Sequence, residues 1–344
     1  MDLLPFPWST PIQVCQFDEP VSNIPTFSES GCQTEELSEL DAQNVSIWVS
    51  IRFDLPERWI ELEQPYGLYL FGKASSRVYL NGNLLGANGA PSRDQSEIAG
   101  KMDASIYAPV EYFREVDNQL VLHLSAMHSV VTLARPFHAI GFGQFGDPRQ
   151  FLQQYSTPGL VLVGAFAVGF FYFLLLGMVC GGSGTYKLFA ALCLFSALQL
   201  GVEMLRGLVC FSYPWQDIRL LLVTGLSFLF GVSLLIHSSL RVTGDNAAHW
   251  IYGGVILTAL VMAFVPGFDI KTNAGVFVPL MVSLIQLLVF WRRSRERNLL
   301  VWFVVQLLVV IAVVADASSF HEISHFIIVG GLLVYLFAQQ KRAA

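Results

Sequence analysis

The sequence has few charged residues for its length, and they are unevenly divided. Only 13% of the 344 residues are charged, whereas 54% are hydrophobic, and a single water-soluble fold could not bury that much apolar sequence. Residues 1–150 contain 19 acids and 9 bases, whereas residues 151–344 contain 7 acids and 11 bases. The chain is therefore predicted to have an acidic soluble part and a membrane part. The acidic part would repel phosphate, which argues against binding of nucleic acid.

The sequence also lacks the short motifs of several enzyme classes. It contains no phosphate-binding loop, no dinucleotide-binding fingerprint and no nucleophile elbow. Cysteine is scarce, at five residues in the whole chain. Three of the five lie in or beside apolar stretches and are most simply small packing residues. Cys15 and Cys32 lie in the acidic part, where a disulfide and two free thiols are both open alternatives.

Seven apolar stretches in the second part are long enough to cross a membrane. Each is near the ~20 residues that an α-helix needs to span about 30 Å of hydrocarbon. They predict an all-α bundle of seven transmembrane helices within residues 158–344, preceded by a linker over residues 146–157. The predicted helices cover residues 158–180, 187–209, 218–238, 248–266, 273–291, 298–316 and 323–340.

The basic residues of the short loops predict the orientation of these helices, because such residues concentrate on the cytoplasmic side. With the N-terminus outside, the inner connections hold eight bases and the outer ones three. The N-terminal domain is therefore expected to be extracytoplasmic and the C-terminus cytoplasmic. Met1–Thr10 lacks the basic and apolar regions of a signal peptide, so we expect a processed chain or a start further upstream. Four of the inner bases form a cluster: Arg292, Arg293, Arg295 and Arg297. Topology alone explains this cluster, and contact with anionic lipid or a partner protein is the alternative explanation.

Residues 45–145 have the pattern of β-strands rather than of helices. Ser46–Phe53 alternates between two faces, and turn residues such as Asn81-Gly82 separate the later apolar runs. Several short strands with turns between them predict an all-β sandwich or jelly roll over residues 1–145. Three aromatic residues of this domain are candidates for binding a sugar: Trp59, Tyr107 and Tyr112. If exposed, their side chains would stack on a sugar ring, and burial in the core is the alternative.

Two segments carry a resemblance to a known architecture. Arg77–Gly86 followed by Asn118–Leu124 resembles the hairpin and strand of the galactose-binding-type jelly roll. Together with seven helices, this layout is similar to the bacterial seven-transmembrane receptors with diverse intracellular signalling modules, and Leu198–Leu222 looks like the turn between their second and third helices. The resemblance implies a multi-pass protein of the bacterial inner membrane. Those receptors continue into an output module after the last helix, so a separate signalling or envelope protein is implied here.

A short pattern near the start of the seventh predicted helix could hold a metal ion. His321 and His325 are four residues apart and would lie on one face of a helix, as ligands of one zinc ion. Glu322 between them could act as general base on metal-bound water. In the predicted orientation Glu203 and Asp217 lie at the same membrane level and could supply a further ligand.

The histidine pair also resembles the last helix of the superfamily of alkaline ceramidases and progestin/adiponectin-type receptors. That resemblance implies a zinc-dependent hydrolase acting on a lipid amide or ester. His321 and His325 match the pair of that superfamily, and Asp217 matches its third-helix aspartate. The second-helix histidine is missing, and Glu203 is the ionisable residue nearest to its place.

The sequence leaves three functions open, and whether the protein is an enzyme stays open with them. The leading one is an envelope sensor or accessory protein, whose jelly roll binds a ligand, glycan or envelope partner and whose helices relay to a separate protein. The second is the zinc-dependent membrane hydrolase, and the third is a structural subunit of an envelope complex. A purely structural interpretation of the polar residues competes with the metal site, with Arg206 and Arg219 as salt-bridge partners of Glu203 and Asp217.

Overall fold

The computed structural model of the protein describes residues 3–17, 24–27, 31–55, 65–179, 184–315 and 330–331. The chain divides into two compact units. The first unit contains residues 1–153 and 206–218, and the second contains residues 154–205 and 219–344. An all-β sandwich is followed along the chain by apolar helices, so the predicted fold class is confirmed.

The sandwich of the first unit consists of two antiparallel sheets. Its smaller sheet has the strand order β1-β10-β5-β8, and its larger sheet has the order β3-β2-β4-β9-β6-β7. The hairpin between β6 and β7 turns at Asn81 and Gly82, both with positive φ, as the sequence predicts. The strands are β1 (Leu4–Pro5), β2 (Pro11–Cys15), β3 (Cys32–Glu36), β4 (Ser46–Phe53), β5 (Tyr66–Gly72), β6 (Ser75–Leu80), β7 (Asn83–Asn88), β8 (Asp103–Ala108), β9 (Asn118–Ser125) and β10 (Phe137–Gln144).

The alternating apolar residues of the strands form the core between the two sheets. Ile51 and Leu122 from the larger sheet and Leu68 and Ile140 from the smaller one are completely buried. Successive side chains of a strand point to opposite faces of a sheet, so this alternation places one apolar face of each sheet inward. The period-two pattern of the sequence therefore determines the position of the core.

A disulfide joins the two strands at one edge of the larger sheet. β2 pairs with β3 so that Cys15 lies opposite Cys32, and the two cysteines form a bond. Cys15 is completely buried, in a small cluster with Trp48 and Val121. The structure thus decides between the two alternatives that the sequence left open.

Six apolar helices follow the sandwich in the part of the chain that the structure describes, and five of them are long and apolar enough to cross a membrane. The first six predicted spans each coincide with one helix. The seventh predicted span, 323–340, lies outside the described residues except for residues 330–331. The helices are α1 (Gln150–Val179), α2 (Gly184–Leu208), α3 (Pro214–Val242), α4 (Ala247–Phe264), α5 (Phe268–Ser294) and α6 (Arg297–Ala315).

Helix α1 begins earlier than its apolar stretch. It starts at Gln150, inside the segment 146–157 that the sequence predicts as a linker. Glutamine is a good helix former, and Gln153 continues the helix although it is polar. A boundary set by hydropathy alone therefore misses the polar first turns of this helix.

The described helices of the second unit differ in how much of their surface is covered. About half of the most apolar part of α2, α3 and α5 is buried, at 50%, 50% and 56%, whereas only 17% of that part is buried in α1 and in α4. The interior of the described bundle is therefore formed mainly by α2, α3 and α5.

Candidate functional site

The segment that joins α2 to α3, residues 206–218, belongs to the same compact unit as the β-sandwich. It is named the connector here, and it includes the last turn of α2 and the first turn of α3. Lys101 and Ser212 form an antiparallel bridge. The Tyr213 N–H donates to the carbonyl of Gly100 at 2.8 Å, and the Met102 N–H donates to the carbonyl of Phe211 at 3.1 Å. The connector is thus paired, like a short extra strand, with the residues that precede β8.

Tyr213 lies at the centre of the connector and is completely buried. Its ring packs with Met102 and Ala126. Its hydroxyl donates to the Glu97 carboxylate at 2.6 Å and accepts from the backbone N–H of His128 at 2.8 Å. Burial and the adjacent Glu97 raise the pKa of Tyr213 well above its ordinary value, so the hydroxyl stays protonated and remains a donor.

Glu97 is a buried carboxylate, only 5% exposed. Besides Tyr213, it accepts hydrogen bonds from the hydroxyls of Ser75 and Ser125, both at 2.8 Å, and from the Met127 N–H at 2.6 Å. A buried carboxylate is costly unless donors replace the water that it has lost. The connector supplies one of these four donors, so its position is tied to the stability of this group.

A buried ion pair anchors the other end of the connector. The Asp217 carboxylate lies 2.6 Å from Lys73 Nζ, and both side chains are completely buried. Asp217 also accepts from the N–H groups of Val130 and Val131 at 2.7 and 3.1 Å, and Lys73 Nζ donates to the Val131 carbonyl at 2.5 Å. Burial lowers the pKa of Lys73, and Asp217 opposes that shift. The pair therefore fixes the connector and the loop between β9 and β10 to each other.

A second ion pair lies at the beginning of the connector. Arg206 binds the Asp103 carboxylate with two nitrogens, Nε at 3.0 Å and Nη2 at 2.7 Å. The two side chains are 17% and 7% exposed. Such a two-point contact fixes the direction of the guanidinium as well as its distance. Asp103 is the first residue of β8, so this contact joins the last turn of α2 to a strand of the sandwich unit.

The structure places Glu203 and Asp217, two of the predicted zinc ligands, in contact with cations. Glu203 lies in the second unit and pairs with Arg219 at 2.5 Å, so it has an arginine partner, as the structural interpretation expects. Asp217 pairs with Lys73 instead of an arginine, and Arg206 pairs with Asp103. Within the described residues no group of three His, Cys, Asp or Glu could hold a metal ion. The other predicted residues of this site, His321, Glu322 and His325, lie outside the described residues. The zinc site therefore stays a prediction.

The predicted sugar-stacking aromatics fall in different surroundings. Tyr107 on β8 is 47% exposed and packs edge-on against Phe145, with ring centroids 5.6 Å apart. Tyr112 lies in a short 3-10 helix after β8 and is partly buried against the sandwich core. Trp59 lies outside the described residues.

The predicted basic cluster occupies the turn between α5 and α6, and all four of its arginines are exposed. Arg293 lies over the ring of Phe290 and Arg295 over the ring of Trp291, at 5.9 and 5.4 Å from the ring centroids. Arg295 ends α5 in the left-handed conformation. Arg292 and Arg293 thus lie in the last turn of α5, Arg295 lies between the two helices, and Arg297 is the first residue of α6.

The sequence does not indicate that most of the residues that bind the connector are buried or paired. Lys73 carries the clearest signal, because it is a cation directly after the strongly apolar strand β5, where an unpaired charge is costly. Glu97 lies in a polar loop, and nothing in its neighbourhood marks it as buried. Tyr213 lies within the stretch Leu198–Leu222 that the sequence singles out, but the sequence does not identify its partner.

Substitution of Tyr213 by phenylalanine should weaken the connector without changing its shape. The variant removes one donor to Glu97 and the acceptor for the His128 N–H, and each unmet buried group costs ~1–3 kcal/mol. Hydrogen exchange of the His128 and Tyr213 amides should become at least tenfold faster. Tyr107→Phe, at an exposed position, is the matched control and should leave these amides unchanged. Equal exchange in both variants would contradict the assigned role of the hydroxyl.

The contacts of the connector suit mechanical attachment rather than catalysis. Each of its charged groups is already bound: Asp217 by Lys73 and two amides, and Arg206 by Asp103. What these residues do must therefore be inferred from the elements that they join. The comparisons with protein-family models and with curated proteins found no match.

Proposed function

We propose that this membrane protein is an envelope sensor or accessory receptor. In this proposal the β-sandwich, as a jelly roll outside the cytoplasm, binds a ligand, glycan or envelope partner. The connector then transmits the state of the sandwich to α2 and α3. The observation that carries the proposal is the burial of Lys73 with Asp217 and of Glu97 with Tyr213, because both contacts join the sandwich to a segment continuous with two membrane-spanning helices.

The energy of the connector's contacts favours transmission of a change in the sandwich to the helices over a flexible linkage. Separation of one partner from a buried ion pair costs about 3–5 kcal/mol, since it leaves an uncompensated charge. A change in the sandwich would therefore shift the connector as a body instead of detaching it. Because α2 ends and α3 begins within the connector, such a shift would act on both helices at once.

Two observations support an extracytoplasmic sandwich and a cytoplasmic C-terminus. The Cys15–Cys32 disulfide is typical of an oxidising compartment, such as the space outside the bacterial inner membrane. The loop charges favour the same orientation. In this orientation the exposed Arg292–Arg297 turn would lie on the cytoplasmic side and would contact anionic lipid or the separate partner protein.

Hydrogen exchange of the full-length protein in lipid nanodiscs tests the transmission. Tyr213→Phe should accelerate exchange in the connector and also in those parts of α2 and α3 that belong to the second unit, such as residues 196–205 and 219–230. Arg52→Met, which removes an exposed ion pair of the sandwich, is the control and should leave both helices unchanged. Faster exchange confined to the connector would refute the proposed transmission.

A further inference from the structure

The interior of the second unit contains a ladder of hydrogen bonds between buried polar side chains. Gln286 on α5 accepts from the Ser238 hydroxyl at 3.1 Å and donates to the Ser239 hydroxyl at 2.7 Å, and both serines lie on α3. Ser283 on α5 donates to the Gln306 carbonyl on α6 at 3.0 Å. All five side chains are completely buried. Polar side chains thus link three apolar helices, where hydrogen bonds across helices stabilise packing.

Three polar atoms beside this ladder have no partner among the described residues. They are His237 Nε2, Trp302 Nε1 and Gln306 Nε2. The side chains are 4%, 2% and 0% exposed, so bulk solvent does not reach them. The rings of His237 and Trp302 lie 5.9 Å apart, between α3 and α6. Gln306 follows Trp302 by four residues on α6, so both side chains lie on the same face of that helix.

Unpaired polar groups at this depth are expensive. In a bilayer each unsatisfied group costs several kcal/mol, because no bulk water replaces the missing partner. Three such groups on two facing helices would make a dry site markedly unstable. A buried water molecule needs two to four polar partners, and this site offers three.

The chemistry of the three groups restricts what can occupy the site. Trp302 Nε1 and the Gln306 amide nitrogen only donate hydrogen bonds, whereas His237 Nε2 donates or accepts according to its tautomer. When His237 Nε2 is the acceptor, the occupant accepts two hydrogen bonds and donates one. A cation would meet two donors and be repelled, and an apolar group would leave all three unpaired. A neutral oxygen that carries a hydrogen satisfies the set.

We propose that His237, Trp302 and Gln306 form a water-binding site inside the helical bundle. The bound water connects α3 to α6, and Ser283 joins the same glutamine to α5. Helices held through exchangeable hydrogen bonds can shift against each other while their polar groups stay paired, which interlocked apolar side chains do not allow. The inference does not depend on the proposed sensor function.

Hydroxyl-radical footprinting by X-ray pulses tests the site in the full-length protein, since radicals formed from a bound water oxidise the side chains around it. Trp302 and His237 should be oxidised at least fivefold faster than expected for buried side chains. Trp48 in the sandwich is the matched reference, because it is the same residue type and is also buried, at 4% exposure. Equal oxidation of Trp302 and Trp48 would overturn the proposal.

A variant locates the water. Gln306→Leu removes one of the three polar partners and should reduce the oxidation of Trp302 at least threefold, whereas Leu307→Ala, at a partly exposed neighbouring position on α6, should not change it. Undiminished oxidation in Gln306→Leu would show that the water lies elsewhere and would overturn the assignment. If Gln306→Leu does not fold, the comparison of Trp302 with Trp48 in the unmodified protein decides the question alone. Mass spectrometry of organic extracts provides a separate arm, and a stoichiometric hydroxyl-bearing molecule would replace water as the occupant and contradict the proposal.

Discussion

Replacement of Lys73 by methionine should lower the free energy of unfolding of the sandwich unit by about 3–5 kcal/mol. The Lys73 and Asp217 side chains are completely buried, and Nζ lies 2.6 Å from the carboxylate. Methionine retains much of the length of lysine but removes its charge, so Asp217 would remain buried as an unpaired anion. Most folded domains have a total stability of only 5–15 kcal/mol. The variant is therefore expected to lose a large share of its stability.

A double variant separates the charge from the shape of this site. Lys73→Met combined with Asp217→Asn leaves no charge, and the amide oxygen of asparagine still accepts from the N–H groups of Val130 and Val131. Replacement of a buried ion pair by neutral groups of similar volume is often nearly neutral, so the double variant should recover more than half of the loss. A double variant no more stable than Lys73→Met would show that packing, and not the unpaired charge, causes the effect.

The measurement needs a signal that belongs to the sandwich unit alone. Hydrogen exchange of buried amides in β5 and β9, such as those of Leu68 and Leu122, reports the free energy of opening of this unit in the full-length protein. The control is Arg52→Met, because the Arg52–Asp117 pair is 65% exposed on both sides. Exposed pairs contribute at most about 1 kcal/mol, so the control should be close to the unmodified protein.

Local sequence patterns predict the secondary structure of this chain, whereas contacts between distant residues leave no such pattern. Strand β4, the hairpin at Asn81-Gly82 and the first six helices could be predicted because their signals are local. Ser46–Phe53 alternates over eight residues, and each membrane-spanning helix is a continuous apolar run. The connector could not be predicted, because its assignment to the sandwich depends on contacts such as Asp103 with Arg206 and Glu97 with Tyr213, which are more than 100 residues apart in the chain.

The same limit explains the outcome for the polar residues near the helix ends. The sequence singles out Asp217 as costly in an apolar region, and the structure indeed gives it a buried partner. That partner, Lys73, belongs to the sandwich unit, and a search among the helices alone could not find it. The partner of Glu203, by contrast, is Arg219, which lies only 16 residues away along the chain and is one of the two arginines predicted as salt-bridge partners.

Gly231→Ala in α3 should have the largest effect in the helical unit. A Cβ atom at this position would lie 2.1 Å from the carbonyl oxygen of Gly275 and 2.9 Å from Pro279 on α5. A backbone oxygen cannot rotate away as a side chain can, so the two helices would have to separate. Small residues at interfaces of membrane helices permit this close approach. We expect a loss of about 3 kcal/mol or more, at or above the upper end of the usual cost of overpacking.

Helix α3 provides its own control for this prediction. A Cβ at Gly225 meets no atom within 4 Å, so Gly225→Ala has no clash and should be neutral or stabilising by up to ~1 kcal/mol, because alanine favours the helix more than glycine does. Opening of the bundle on heating can be followed by the reaction of the buried Cys193 thiol with a thiol-specific reagent. The substitutions C180S and C210S remove the other two thiols of the helical part and its loops. Gly231→Ala should expose Cys193 at a temperature at least 10 °C lower than Gly225→Ala does. Equal temperatures for the two alanine variants would mean that α3 and α5 do not depend on the contact between Gly231 and Gly275, since the substitutions differ only in what the added methyl group meets.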